Sequence, residues 1–239
     1  MRLGVFCYNF KHWKTQTGLQ NLILHNFKPT VVFAADPVEL KFYRSKIRIA
    51  PKDLFLTHPK DICDFHDIEY FNVKHNSEEV SNIVKKHNLD LGIILGARIL
   101  KPVAYKNFKI GVLNMHPGIL PENRGLDTIK WAITKNLDQG VTTHLIDNKI
   151  DRGLLIDKKT INIYKDDTLL DLQIRVQNLE QKMMIESIKT LQDQGTERLQ
   201  SLGSGEYHKS IPPDVEKQLF DKFKEYKKGN AKDESDSIK

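Results

Sequence analysis

Residues 90–96 read DLGIILG and residues 110–115 read IGVLNM. The first is a continuous apolar run, as expected of a central parallel strand covered on both faces. The second is a strand candidate that runs directly into His116-Pro117. Working outward, Arg2–Cys7 and Thr30–Ala35 read as further short buried strands. Between them Leu19, Leu22, Ile23 and Phe27 carry helical spacing. Ser77 followed by Glu78 and Glu79 is a helix start, and Val80, Ile83 and Val84 give that helix an apolar face. Leu126–Lys135 reads as helix, Val141–Asp147 as an alternating strand and Leu154–Ile161 as another. Asp167–Thr190 reads as a long amphipathic helix with Asp166 or Asp167 as its cap. The stretch 37–66, with Pro37, Pro51 and Pro59, has no regular pattern. Strands alternating with helices predict an α/β fold: a twisted, mostly parallel sheet with helices on both faces, Rossmann-like in outline. Chemistry is then expected in the crevice at the C-terminal strand ends. No GxGxxG occurs, which argues against a dinucleotide cofactor.

With 239 residues the chain is long enough to bury a core without disulfides or metal. Its two cysteines, Cys7 and Cys63, make neither a disulfide framework nor a zinc cluster, and are expected as reduced thiols of a cytoplasmic protein. The N-terminal apolar run meets charged and aromatic residues before a signal-peptide core could form, and no run reaches membrane-spanning length. The net charge of +6 is spread along the chain and fits solvated charge first, a phosphate-bearing small substrate second and nucleic acid third. Three segments are expected: a catalytic domain over 1–195, a short C-terminal extension over 196–228 and a polar, disordered tail over 229–239. Leu199, Leu202, Ile211, Val215, Leu219, Phe220 and Phe223 give the extension an apolar face, with one helix expected over Val215–Tyr226. That face packs on its own sheet or across to a second copy, and a homodimer is the expectation.

Residues 111–125, GVLNMHPGILPENRG, carry the chemistry. Asn114 and His116 are two apart, so on an extended segment both side chains project to one side. Pro117 favours extended backbone at His116. An amide N–H stabilises a developing oxyanion and an imidazole takes a proton from an attacking amine, which suits acyl transfer. Downstream, residues 143–153, THLIDNKIDRG, bring two aspartates to a strand end. A carboxylate there would orient the imidazole, and spacing alone leaves Asp147 and Asp151 both open.

NMHPGILPENRG followed by THLIDNKIDRGLLI resembles the signature of the formyltransferases that use 10-formyltetrahydrofolate, N-x-H-P-x-x-L-P-x-x-[RK]-G and then a strand and D-x-G. That family includes glycinamide ribonucleotide, methionyl-tRNA and sugar N-formyltransferases, and the resemblance spans roughly residues 1–165. It implies a Rossmann-like formyltransferase fold and the catalytic triad Asn114, His116 and Asp151. It also implies a folate pocket lined by Arg98, Ile99, Leu100, Asp147 and Ile150. The segment Lys14–Gly18 stands where the purine enzyme has a glycine-rich phosphate loop, yet is glycine-poor, and the chain is short of the second domain of a methionyl-tRNA enzyme. A sugar N-formyltransferase is therefore the favoured expectation. Its co-substrate would be 10-formyltetrahydrofolate, with no metal. Its acceptor would be a nucleotide-linked amino sugar such as dTDP-4-amino-4,6-dideoxyglucose, used for cell-surface polysaccharide. Neither nucleic acid nor membrane is an expected partner. Trp13, Lys14, Arg124 and Trp131 are the candidate acceptor contacts. Phosphoribosylglycinamide formyltransferase is the second reading and a non-catalytic folate- or nucleic-acid-binding protein the third.

Overall fold

The computed structural model describes residues 1–39, 45–47 and 49–232. The chain runs β1 (Leu3–Tyr8), α1 (Trp13–Leu24), β2 (Val31–Ala35), α2 (Pro59–Phe65), β3 (Glu69–Asn72), α3 (Glu78–Lys86) and β4 (Leu91–Ile94). There follow α4 (Pro102–Tyr105), β5 (Gly111–His116), β6 (Arg124–Gly125), α5 (Thr128–Lys135), β7 (Gly140–Leu145), β8 (Leu154–Thr160) and β9 (Ile163–Tyr164). Last come α6 (Leu169–Gln194), β10 (Gln200–Ser201), β11 (Tyr207–His208), α7 (Pro213–Glu216), α8 (Leu219–Asn230) and β12 (Ala231–Lys232). Eight strands form one sheet in the order β10-β8-β7-β5-β4-β1-β2-β3. From β3 to β5 all pairs are parallel; β7, β8 and β10 continue antiparallel.

Strict alternation divides the parallel strands between two apolar layers. Leu3, Val5 and Cys7 of β1, Leu91 and Ile93 of β4, and Leu113 and Met115 of β5 pack with Leu19 and Leu22 of α1 and the apolar face of α6. On the other face Phe6, Phe33 and Val112 pack with Val80, Ile83 and Val84 of α3 and Ala104 of α4. Both cysteines are free and buried, and burial pushes the Cys63 thiol up to about 12.

Local details differ from the sequence reading in four places. The cap of α6 is Thr168, whose hydroxyl accepts from the Asp171 amide while the Asp171 carboxylate accepts from the Thr168 amide. Asp167 instead binds Arg175 and the Tyr164 amide. The irregular stretch contains α2, started by Pro59 after His58, and β3 follows just beyond it. The expected helix over 215–226 is two helices, α7 and α8, with Lys217 and Gln218 between them. The expected disordered tail is ordered at its start: Gly229 and Asn230 complete α8, and Ala231–Lys232 pair with β9. Residues 233–239 lie outside the described ones.

The C-terminal segment packs on its own chain. Leu202, Ile211, Leu219 and Phe223 are buried there, whereas Phe220 is 57% exposed. Most of the apolar face on which the homodimer expectation stood is thus covered within one chain, and Phe220 is left exposed. The segment's anchor is ionic. Lys130 of α5 and Glu216 of α7 lie 3.5 Å apart with side chains only 3% and 6% exposed, and the Lys130 ammonium also donates to the carbonyl of Ile47. Removing one partner of such a pair leaves a buried charge uncompensated, at a cost of about 3–5 kcal/mol. Glu216→Ala should therefore lower unfolding stability by about 3 kcal/mol in urea titrations, and the paired change Lys130→Met, Glu216→Leu should recover most of that loss. A Glu216→Ala protein as stable as the parent would contradict this anchoring.

Candidate active site

Strand β5 ends in the site. Because Leu113 and Met115 enter the α1/α6 layer, Asn114 and His116 face the opposite side together. The antiparallel partner β7 sets Asn114 opposite His144 and His116 opposite Thr142. A bulge in the β7–β8 ladder falls between Thr143 and His144, at the level of the site. Thr142 holds the loop after His116 in place: its hydroxyl accepts from the Leu120 amide (3.0 Å) and donates to the Gly118 carbonyl (2.8 Å).

His116 is buried. Its Nε2 lies 2.7 Å from the carbonyl oxygen of Asn123. A carbonyl only accepts, so Nε2 carries the proton and Nδ1 is the basic nitrogen. Nδ1 faces Asp151 Oδ1 at 3.5 Å, an ion pair whenever the ring is protonated. The other carboxylate oxygen of Asp151 accepts from the Gly125 amide at 2.9 Å. Asp151 sits at φ +47°, and the loop returns to the sheet at Gly153. There a Cβ would lie 2.1 Å from the Leu145 carbonyl oxygen, so the D-x-G spacing is a close-packing requirement. Asp147 is occupied locally, accepting from the Lys149 amide at 2.8 Å.

His144 completes the arrangement. Its Nδ1 is next to the Leu145 carbonyl (3.4 Å), which leaves Nε2 to accept from the Asn114 amide nitrogen at 3.2 Å. One Asn114 N–H is thus fixed on His144, and among the described residues the second has no acceptor and is open to the cleft. Burial, and then the nearby His116, push the His144 ring down to about 4, so it is neutral at ordinary pH.

A cleft of about 540 Å3 opens beside these groups. It is lined by Asn114, His144 and Asp151, by residues 97–100 after β4 and 146–151 after β7, and by Tyr8, Leu126 and Tyr207. All five residues expected to line a folate pocket, Arg98, Ile99, Leu100, Asp147 and Ile150, line this cleft. Ile99 and Ile150 are exposed there as apolar walls around a polar floor. The four candidate acceptor contacts are not among the residues that line this cleft. Lys14 is bound to Glu180 (2.6 Å) and to the Met115 carbonyl (3.1 Å), on the opposite side of β5 from Asn114. Arg124 is buried and clamps the carbonyls of Gly205 and Ile150. Trp131 stacks on His208 and donates to the Lys209 carbonyl, and Trp13 is the half-buried first residue of α1. Sequence reasoning assigned no role to His144, Asn123 or Tyr207. Only the β5–β7 register could have found the first, and no local signal marks the others.

The family model described as formyl transferase matches residues 35–188. The chain belongs to the formyl transferase family. Among curated relatives it is 27% identical over 127 residues to the methionyl-tRNA formyltransferase of Chlorobium chlorochromatii, covering 53% of this chain and 39% of that one. It is 29% identical over 151 residues to that of Flavobacterium psychrophilum, covering 63% and 44%. The chain thus spans less than half the length of these relatives. The fold matches the N-formyltransferase of Helicobacter canadensis, solved in complex with folinic acid and dTDP-3-aminofucose: TM-score 0.65, 21% identity, 95% of this chain and 82% of that one. It also matches phosphoribosylglycinamide formyltransferase of Bacillus halodurans: TM-score 0.62, 20% identity, 81% and 96%.

The neutral His144 has a consequence for stability. The unfolded chain binds a proton at this position near pH 6.5, and the folded protein resists doing so until about pH 4. Between those values the unfolded state holds more protons, so stability falls as pH is lowered through that window. His12, likewise pushed down to about 4 by burial and Lys14, adds to the same slope. His144→Gln keeps an acceptor for Asn114 and removes one titrating group. Denaturation midpoints at pH 7, 6, 5 and 4.5 should fall less steeply for that variant. An unchanged slope would mean that His144 is not held neutral.

Proposed function

We propose that this protein is an N-formyltransferase that moves the formyl group of 10-formyltetrahydrofolate to a primary amine, with a nucleotide-linked amino sugar as the acceptor. The carrying observation is the convergence of the Asn114 amide, the neutral His144 and the Asp151 carboxylate, with the buried His116 behind it, on one cleft walled by residues 97–100 and 146–151. The cleft suits the co-substrate: exposed Ile99 and Ile150 offer apolar contact to its rings, and the two loops offer backbone groups to its polar edges. When bound, 10-formyltetrahydrofolate supplies the activated one-carbon group.

The protein's part is positioning and proton handling. Asn114, with one N–H held by His144, donates the other to the formyl oxygen as negative charge develops there. His116 takes the proton released by the amine at Nδ1, because Nε2 is committed to Asn123, and passes it on to the folate nitrogen as the bond from that nitrogen to the formyl carbon breaks. Asp151 faces Nδ1 and lines the cleft, so it stabilises the imidazolium and connects it to the reacting groups. The amino-sugar acceptor is supported by the fold match to a protein solved with dTDP-3-aminofucose over 95% of this chain. Phosphoribosylglycinamide is the second reading, supported by the fold match that spans 96% of the Bacillus halodurans enzyme.

The test is turnover. With 10-formyltetrahydrofolate supplied, the purified protein should formylate members of a panel of dTDP- and UDP-linked amino sugars and leave glycinamide ribonucleotide unreacted. Turnover of the purine precursor alone would replace the acceptor assignment by the second reading. Asn114→Ala and His116→Ala should each lose about 10²–10³ in rate. Near-normal turnover by a folded His116→Ala protein would contradict the mechanism.

A further inference from the structure

The segment after α6 reaches the back of the catalytic histidine. β11 pairs with β6 so that His208 lies against Gly125, and the Leu126 amide donates to the His208 carbonyl at 2.9 Å. The approach is close enough that a Cβ on Gly125, at φ +102°, would lie 2.0 Å from the His208 carbonyl oxygen. The His208 ring is buried, at 3% exposure, beneath Trp131, with ring centroids 4.9 Å apart and 24° between planes. Its Nδ1 is 3.3 Å from Asn123 Oδ1. The identity of that oxygen follows from its neighbour: Asn123 Nδ2 donates to the Thr128 carbonyl at 2.9 Å, so Oδ1 is the atom turned to His208. His208 therefore donates from Nδ1. Asn123 is itself buried, and its backbone carbonyl is the acceptor for His116 Nε2–H.

We propose that His208 is a positioning residue for formyl transfer: by donating Nδ1–H to Asn123 it holds the carbonyl that fixes the tautomer and orientation of His116. The relay runs His208, Asn123, His116, and the C-terminal segment is thereby part of the catalytic apparatus although it supplies none of the triad. The mechanical logic is that of outer partners that orient an imidazole through its second nitrogen. If the Asn123 carbonyl swings away, Nε2–H loses its acceptor, and the imidazolium loses a hydrogen bond that favours it. His116 should then titrate lower. The groups that face His116 are Asp151 and His144; those that face His208 are Glu206, 3.6 Å from its Nε2, and Lys135, which is bound to Glu206.

The proposal rests on the formyl-transfer reading for its kinetic consequence alone, so the test has two readouts. His208→Phe keeps a ring on Trp131 and removes the donor. His208→Asn places an amide nitrogen where Nδ1 was and removes the ring. In 15N-histidine-labelled full-length protein, the His116 titration followed by NMR should move to lower pH in His208→Phe and return to the parent value in His208→Asn. In turnover assays His208→Phe should lower kcat about five- to tenfold, with its acid limb shifted and KM within about twofold. His208→Asn should recover most of that loss. If His208→Phe does not fold, His208→Gln takes its place, since its amide nitrogen overlays Nε2 and does not reach Asn123. A parent-like His116 titration in the donor-less variant would overturn the proposal. So would equal impairment of the Phe and Asn variants, which would assign the effect to packing on Trp131. Should the parent protein fail to transfer formyl groups, the functional reading falls and the NMR titration still decides the role of His208.

Discussion

The antiparallel pairing of β5 with β7 is the constraint on which the site depends. It is the point where a parallel sheet changes direction, and its register puts Asn114 against His144 and His116 against Thr142. A one-residue slip would turn every side chain of one strand to the other face. Asn114 would lose its acceptor, and Thr142 would release the loop from Gly118 to Leu120. The register is held because Leu113, Met115, Val141 and Leu145 must all enter the same apolar layer beneath α6. Burial of four hydrophobic side chains thus fixes the geometry of the polar face opposite.

That polar face uses few charges. His144 is neutral and committed to Asn114, and the His116 ring is buried with one nitrogen fixed on a carbonyl. The carboxylate of Asp151 is aimed at the ring, and the Gly125 amide holds it. Burial among groups with assigned partners keeps the donors preorganised, which is where electrostatic stabilisation of a developing oxyanion gains over water. The parallel half of the sheet contributes differently. Its loop after β4 walls the cleft, while the loop after β7, in the antiparallel half, supplies both wall and carboxylate.

Much of this was legible in the sequence. The apolar run at 90–96 and the strand into His116-Pro117 placed the central strands, and period-two spacing put Asn114 and His116 on one face. Local spacing left Asp147 and Asp151 open, since both follow the same strand. In the structure the choice follows from a short-range contact: Asp147 closes on the Lys149 amide, while Asp151 turns at positive φ towards His116. Lys14 and Arg124 are candidate acceptor contacts in the sequence because basic side chains suit a phosphate-bearing ligand; in the structure both meet protein groups that are distant in sequence. Glu180 is 166 positions from Lys14 and Gly205 is 81 from Arg124, and no local rule reports such pairings. The same holds for His208 and Asn123, 85 positions apart. Thr168 was missed as the α6 cap for a simpler reason: two aspartates precede it, and the capping box with Asp171 decides among three adequate residues.

In the proposed mechanism the second amide N–H of Asn114 and the His116–Asp151 pair act on one formyl group in this cleft. The most direct measurement is a crystal structure of the protein with a hydrolysis-resistant 10-formyl folate analogue. The analogue should lie between residues 97–100 and 146–151, with its formyl oxygen about 2.7–3.1 Å from Asn114 Nδ2. An analogue bound outside this cleft, or one whose formyl oxygen points away from Asn114, would contradict this mechanism.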